Sequence, residues 1–585
     1  MAKNGKKMET QRSVDQEVKA ICDIMRRGNC AGAMQYVPEL TWILFLRILD
    51  ELEEQERLAA EAVGAAFTPS IEAPYRWIDW AAPDSEFRKE LFEKGQGNIF
   101  AFVNGPTYGD DNRTSLLPYL KNLENLPNAT AKQKVISEVI SGVDRVRIDT
   151  ERNFLDVLDK VDAITSAAID DTHVFTLSQV YEGLLLKMGE KGNDGGQFFT
   201  PREVIRAIMR VVDPAVGDTV YDPGCGTGGF LAQAFEYMTG PKNEKIKSPD
   251  DLSVLKRDTF WGREKDNVVY PIALANLILH GIDKPNLWHG NTLTDQVGYG
   301  GLFEGAPPQF DVILSNPPFG GKEGKDAQSK FDYKTGATQV LFLQHVIATL
   351  KKKGRCGIVL DEGLLFRTNE DAFVKTKRKL LDDCNVWCIV SLPGGVFTSA
   401  GAGVKTNLVF FTKGERTKRI WYYDLTDIKI LKKTPLVSKH FDEFFALLPK
   451  KGTSELSWFV DLDERRKQAA ADAAPFKKEA EHHAQAAAQW NEKLKELKKA
   501  KLKDASAIEK AEAMQKDEAK ESRLAAGKAK EIEDAVYDLK AVNPNRKQVV
   551  DARTPEDLLD LIEAKGREIT ETLSALKKRG QKRVL

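Results

Sequence analysis

Three kinds of hydrophobic patterning run along the chain. In the first part, Leu40, Ile43, Leu44, Arg47, Ile48 and Glu51 set apolar and charged positions at helical spacing. That pattern predicts a helical region over residues 1–165. Over residues 166–455, short apolar runs alternate with helical stretches. Thr219-Val220-Tyr221, Phe260 to Glu264 and Phe310 to Ser315 read as strands, and Leu287 to Leu293 as a strand with its exit loop. Asn267 to His280 reads as a helix, with Ile272, Ala275, Asn276 and Leu279 at helical spacing. Such alternation predicts an α/β domain. Residues 456–585 are different again. From Asp463 to Lys540 the chain is rich in Ala, Lys and Glu, which suits either a solvated charged helix or a coiled-coil arm. A last helix is better marked: Thr554 caps it, Pro555 takes its first position, and Leu558, Ile562, Ile569, Leu573 and Leu576 make an apolar stripe. That stripe packs either on its own domain or against a partner's helix.

Composition bounds the picture. A length of 585 residues implies two to four domains with ample cores. The apolar run Leu40 to Leu46 is too short to span a bilayer. Met1 to Met8 is polar and lysine-bearing with no apolar stretch behind it, so neither a signal peptide nor a membrane is expected, and the localisation reads as cytoplasmic. The six cysteines are scattered and form no C-x-x-C array. Cys384 and Cys388 suit buried strand packing, and no metal site is expected. His482-His483 lies in a polar run and reads as solvated.

The candidate chemistry sits in the middle region. Asn316-Pro317-Pro318-Phe319 follows the strand Phe310 to Ser315. Two successive prolines supply no N–H and end that strand. An amide, a fixed carbonyl and an aromatic ring then share one strand's C-terminal edge, where open α/β sheets bind ligands. The Asn316 side-chain oxygen and the Pro317 carbonyl can both accept from an exocyclic amino group, and Phe319 can stack on a ring. The other reading is a plain Pro-Pro turn with Phe319 in the core. Upstream, Asp222-Pro223-Gly224-Cys225-Gly226-Thr227-Gly228-Gly229 links a strand to a helix. Gly224, Gly226 and Gly229 match G-x-G-x-x-G, a weak signal alone, since a structural turn gives it too. Glu264 ends the second strand, as a ribose-holding acid does or as a surface glutamate does. Thr200-Pro201 starts a further helix, with Thr200 as its N-cap.

In this order the motifs resemble those of adenine-N6 DNA methyltransferases that use S-adenosylmethionine. The chain is more closely similar to the modification subunits of type I restriction–modification systems. The likeness also takes in Gly354 to Leu360, Ser391 to Phe397 and Gly403 to Phe411. It implies a Rossmann-like methyltransferase domain with a mainly parallel sheet, flanked by helical N-terminal and C-terminal regions. It places Thr200 and Pro201 near the cofactor's methionine, and Asp222, Gly224, Gly226, Thr227 and Gly228 around its methionine and sugar. Glu264 becomes the ribose ligand. Asn291, followed by Thr292, stands where the family usually has an Asp for the cofactor's adenine. Asn316, Pro317, Pro318 and Phe319 match the catalytic motif. The likeness further implies DNA as substrate, a separate specificity subunit flanked by two modification subunits, and a restriction subunit as an optional further partner.

Two features support a shared task. The net charge of −1 is unlike that of a chain that binds duplex strongly alone. No β-rich target-reading domain follows Phe411. Rival readings are a self-sufficient adenine methyltransferase, a cytosine-N4 enzyme, a non-catalytic scaffold, and a nicotinamide-dependent oxidoreductase. The last would set its ribose acid about 20 residues on, whereas Glu264 lies 42 beyond Asp222. The segment from Gly320 to Ala337, rich in Gly and Lys, is expected to be mobile without DNA.

Overall fold

The computed structural model describes residues 11–30, 33–93, 98–163, 200–240, 243–294, 300–397, 404–431, 434–499, 504–540, 542–546 and 554–581. The expectations for Met1 to Met8, for Gly403 and for a border at 165 lie outside the described residues. Residues up to Val542 form one compact unit, and Asn543 onward a second.

The first part of the chain is helical, as its periodicity predicts. Gln11–Arg27, Ala33–Ala62, Ala131–Ser141 and Glu151–Asp162 are its longer helices. The run Leu40 to Leu46 is buried throughout, beside a core that includes Trp42, Trp77, Trp80, Phe102 and Phe154. A two-stranded ribbon, Thr107–Tyr108 with Arg113–Thr114, interrupts the helices.

A nine-stranded sheet follows. Its strands are β1 (Val220–Asp222), β2 (Phe260–Glu264), β3 (Asn286–His289), β4 (Phe310–Ser315), β5 (Leu350–Asp361), β6 (Cys384–Ser391), β7 (Thr406–Lys413), β8 (Arg419–Asp424) and β9 (Ser457–Asp461). The order across the sheet is β9-β8-β6-β7-β5-β4-β1-β2-β3. Strands β3, β2, β1, β4 and β5 run parallel to their neighbours in that row. β7 lies antiparallel between β5 and β6, β8 runs parallel to β6, and β9 closes the edge antiparallel to β8. The sheet is therefore mainly parallel. It reaches Asp461, so its last strand falls beyond residue 455.

β1 and β2 are buried at every position, because helices cover both faces of a parallel sheet. The chain moves outward from β1 to β2 to β3, then returns to lay β4 on the other side of β1. Reversals of this kind open a crevice at the strands' carboxyl ends. Around it stand α1 (Arg202–Val212), α2 (Gly229–Thr239), α3 (Val269–Leu279) and α4 (Thr338–Thr349). Nearly every residue of α3 is buried. A helix apolar on all sides must be enclosed, and α3 packs on α2 and on the N-terminal helices Ala33–Ala62 and Ala131–Ser141.

Beyond β9, α5 (Leu462–Lys499) and α6 (Ala505–Asp534) pair as an antiparallel hairpin. Its seam is built from small residues: Ala473, Ala487, Ala511, Ala525 and Ala529 are buried. Ion pairs Lys477–Glu533 (2.6 Å) and Lys498–Glu512 (2.7 Å) cross it. His482 is exposed as expected, and His483, still partly exposed, pairs with Glu518 across the hairpin at 2.6 Å. The chain then returns to the sheet, where Leu539 is buried and its carbonyl accepts from the Tyr422 hydroxyl at 3.3 Å.

The second unit carries α7 (Pro555–Gln581). Thr554 caps it as expected: its hydroxyl accepts from Asp557 N at 3.2 Å, and Asp557 accepts from Thr554 N at 2.8 Å. Leu558, Leu559, Leu561, Ile562 and Ile569 are exposed. The side chains of Leu573 and Leu576 lie outside the described residues.

Candidate active site

A cavity of about 700 Å³ lies at the carboxyl edge of the sheet, lined by the ends of β1, β2, β3 and β4. The loop from β1 to α2 forms one wall. Gly226 has φ +54° and Gly228 φ +80°, a backbone region that favours glycine. Their roles differ. Gly226 lines the cavity, and its N–H donates to Glu264 Oε2 at 3.0 Å. Gly228 starts α2, and a Cβ there would lie 3.3 Å from Leu277 of α3, so it serves helix packing. Asn276 of α3 secures the same loop, donating from Nδ2 to the Thr227 carbonyl at 2.9 Å.

Two carboxylates face this loop. Glu264 accepts from the backbone N–H of Gly226, Lys265 and Asp266, at 3.0, 2.9 and 2.8 Å. Burial still raises its pKa, because the N–H donors only partly offset lost hydration. Asp222 Oδ1 accepts from Gly224 N at 3.1 Å and from the Ser315 hydroxyl at 2.7 Å. Its Oδ2 is buried with no hydrogen-bond partner. Burial pushes the Asp222 carboxyl up to about 7. Such an oxygen needs a donor that the chain itself does not supply.

Asn316 presents a second unfilled acceptor. Its Nδ2 donates to Thr200 Oγ1 at 3.0 Å, which turns Oδ1 away from Thr200. Oδ1 is buried without a partner. Pro317 is buried and Pro318 exposed. Phe319 is half-buried and meets Phe397 edge to face, with ring centroids 5.4 Å apart at 85°.

The structure brings together Thr200, Asp222, Gly224, Gly226, Thr227, Glu264, Asn291, Thr292, Asn316, Pro317, Pro318 and Phe319 around one cavity. Pro201 and Gly228 do not line it; Pro201 caps α1 by backbone alone. Thr200 is not the N-cap of α1, since its hydroxyl is engaged with Asn316. Gly196 to Phe199, which precede it, lie outside the described residues. Asn291 Oδ1 accepts from Leu293 N at 3.0 Å, and its Nδ2 donates to Glu323 Oε2 at 3.2 Å. Thr292 donates its hydroxyl to the Pro223 carbonyl.

Sequence reasoning passed over several members. Ser315 and Asn276 act through hydrogen bonds within the chain, and Phe342, Phe397 and Glu323 reach the cavity from later segments. The segment from Gly320 to Ala337 is also better anchored than its composition suggests. It contains the helix Lys325–Gln328, buried Ala327 and a bridge from Lys322 to Ala337. Among the described residues, no group of three or more His, Cys, Asp or Glu could hold a metal, and no helix is long and apolar enough to cross a membrane.

Comparison with known proteins agrees with this geometry. The family model for N-6 DNA methylase matches residues 172–485, and that for the HsdM N-terminal domain matches residues 14–104. The type I restriction enzyme EcoEI methylase subunit of Escherichia coli is 34% identical over 417 residues, covering 70% of this chain and 77% of that protein. The crystal structure of a modification subunit from Vibrio vulnificus YJ016 aligns with TM-score 0.68 and 34% identity, covering 78% of this chain and 94% of the other. A chain from a structural study of type I restriction–modification complex assembly aligns with TM-score 0.63 and 32% identity, covering 97% and 98%. The nine-stranded sheet and these likenesses converge: the chain belongs to the N-6 DNA methylase family, among the methylase subunits of type I restriction enzymes.

Proposed function

We propose that the cavity takes S-adenosylmethionine on its β1–β2 side and an adenine extruded from DNA at Asn316, and that this chain transfers the methyl group to adenine N6 within a larger complex. The observation that carries the reading is the pair of buried acceptors without partners, Asp222 Oδ2 and Asn316 Oδ1. One suits the cofactor's ammonium group, the other the amino group of the target base.

When bound, the cofactor supplies a methyl group on a positively charged sulfur. The protein does the rest by placement. Glu264, held by three backbone N–H groups, offers its remaining lone pairs to ribose hydroxyls. The N6 lone pair of adenine is delocalised into the ring and is a poor nucleophile. Asn316 Oδ1 and the Pro317 carbonyl accept its two N–H groups and favour a more tetrahedral nitrogen. Thr200 keeps the amide turned the right way. Phe319 offers a face for stacking, which offsets part of the few kcal/mol needed to unstack a base. Well-oriented reactants gain roughly 7–11 kcal/mol from positioning alone. A nicotinamide reading leaves Asn316 and Phe319 without a task.

The test separates binding from chemistry. Asn316→Ala is expected to keep cofactor affinity by calorimetry and to lose methylation in the complete complex. Near-normal turnover of that variant would remove Asn316 from the mechanism.

The partnership is part of the proposal. DNA, a specificity subunit and a restriction subunit are the partners, with two copies of this chain per methyltransferase complex. A net charge of −1 supports shared DNA binding. So does the chain after β7, which among the described residues adds only β8, β9 and helices to the sheet.

A further inference from the structure

We infer that Glu323 recognises the 6-amino group of the cofactor's adenine, with Asn291 as its anchor; this rests on the cofactor reading above. Glu264 ends β2, and β3 is the next strand outward. A nucleoside whose ribose sits at Glu264 lays its base over the exit loop of β3, which is Gly290, Asn291 and Thr292 of the cavity wall. The side chains of that loop already make bonds within the chain. Asn291 Oδ1 accepts from Leu293 N, and Thr292 donates to the Pro223 carbonyl. A carboxylate, a stronger acceptor than an amide oxygen, reaches this place from another segment.

Glu323 comes from the segment after Phe319. Gly320 and Gly321, at φ +99° and +98°, turn the chain back toward the cavity. Glu323 N donates to the Gly336 carbonyl at 2.9 Å, and Lys322 bridges Ala337, so the base of the loop is pinned. Its carboxylate lines the cavity. Asn291 Nδ2 donates to Oε2 at 3.2 Å and the Thr338 hydroxyl to Oε1 at 3.1 Å. A carboxylate has about four acceptor sites, so these two bonds orient it and leave lone pairs for a ligand. An acceptor-only group welcomes an amino group and repels a 6-oxo group. The same contact explains an amide at position 291. An aspartate there would lose the N–H and set a second negative charge beside Glu323.

The full-length chain is titrated with S-adenosylhomocysteine and with its inosyl analogue, in which a 6-oxo group replaces the amino group. The unmodified chain is expected to prefer the adenosyl compound by about 10- to 100-fold, as for one hydrogen bond against an unpaired buried group. Glu323→Leu is expected to bind both compounds equally. Asn291→Asp is expected to weaken adenosyl binding by about tenfold. Asn291→Asp with Glu323→Gln exchanges the amide and the carboxylate, and is expected to recover affinity to within about threefold, as interacting neighbours do in a double-mutant cycle. Were Glu323 only a clip for its loop, Glu323→Leu would weaken both compounds alike and keep the preference, and the double variant would be worse than either single one. Those outcomes overturn the assignment. Failure of the unmodified chain to bind either compound would instead overturn the cofactor reading beneath it.

Discussion

At the scale of single residues, the cavity holds two buried acceptors without a partner in the chain, Asp222 Oδ2 and Asn316 Oδ1. Thr200 matters through Asn316: replacing its hydroxyl while keeping its shape leaves a half-buried amide N–H unpaired and lets the amide turn. Thr200→Val is therefore expected to lower turnover by about 1–3 kcal/mol of barrier, with a much smaller change in cofactor affinity. Single-turnover kinetics beside calorimetry would separate the two. Asp222 makes a pH prediction. Burial raises its carboxyl from the ordinary 3.8 to about 7. A raised carboxyl holds its proton more tightly in the folded state, so its stabilisation is full below 3.8 and is lost as pH rises through about 7. Cofactor binding runs the other way, since an ammonium group prefers the ionised carboxylate. Cofactor affinity is expected to fall by up to about tenfold per unit as pH drops below that value. The dependence should flatten in Asp222→Asn, measured by calorimetry from pH 5.5 to 8.

At the scale of elements, two features respond to packing more than to chemistry. The α5–α6 hairpin has an alanine seam, and close approach of two helices leaves no room for larger side chains there. Ala525 is buried in it. Ala525→Leu is expected to destabilise the hairpin by about 1–3 kcal/mol, seen as faster tryptic cleavage between residues 470 and 534, with unchanged cofactor affinity. α3 is the opposite case. Its apolar surface is enclosed by α2 and the N-terminal helices, and Asn276 joins it to the cavity wall at Thr227.

At the scale of the whole molecule, the proposed cofactor and target subsites share one cavity of this chain. The isolated chain is expected to bind S-adenosylmethionine and to leave duplex DNA largely unmethylated at matched salt until the specificity subunit is added. The exposed apolar residues of α7 are the most concrete surface for that subunit. Truncation at Thr554 is expected to abolish co-purification with it and to spare cofactor binding. Full-rate, site-specific methylation by the purified chain alone would leave a self-sufficient enzyme instead.

Local patterns were enough to mark the strands, because β1, β2 and β4 are short apolar runs whose ends are set by Asp222, Glu264 and the prolines after Asn316. They also marked α7, whose Thr554 cap and first-turn proline are sequence-local devices. That the residues at these strand ends line one cavity was legible for the same reason: each belongs to a short motif whose geometry is fixed by its own backbone. Position along the chain, however, carries no distance. Thr200 reads as a helix cap until β4 brings Asn316 to within 3.0 Å of its hydroxyl. His483 shows no partner in the sequence, and α6 folds back to set Glu518 beside it. The segment from Gly320 to Ala337 reads as an open loop until Ala327 finds its packing and Glu323 meets Asn291. The glycine fingerprint names Gly224, Gly226 and Gly229, yet the left-handed backbone falls at Gly226 and Gly228, beside Glu264 and Leu277. Which residues carry a motif is a local matter, settled by propensity and spacing. Which acceptors stay unpaired for a ligand is decided only when distant strands and helices close around them.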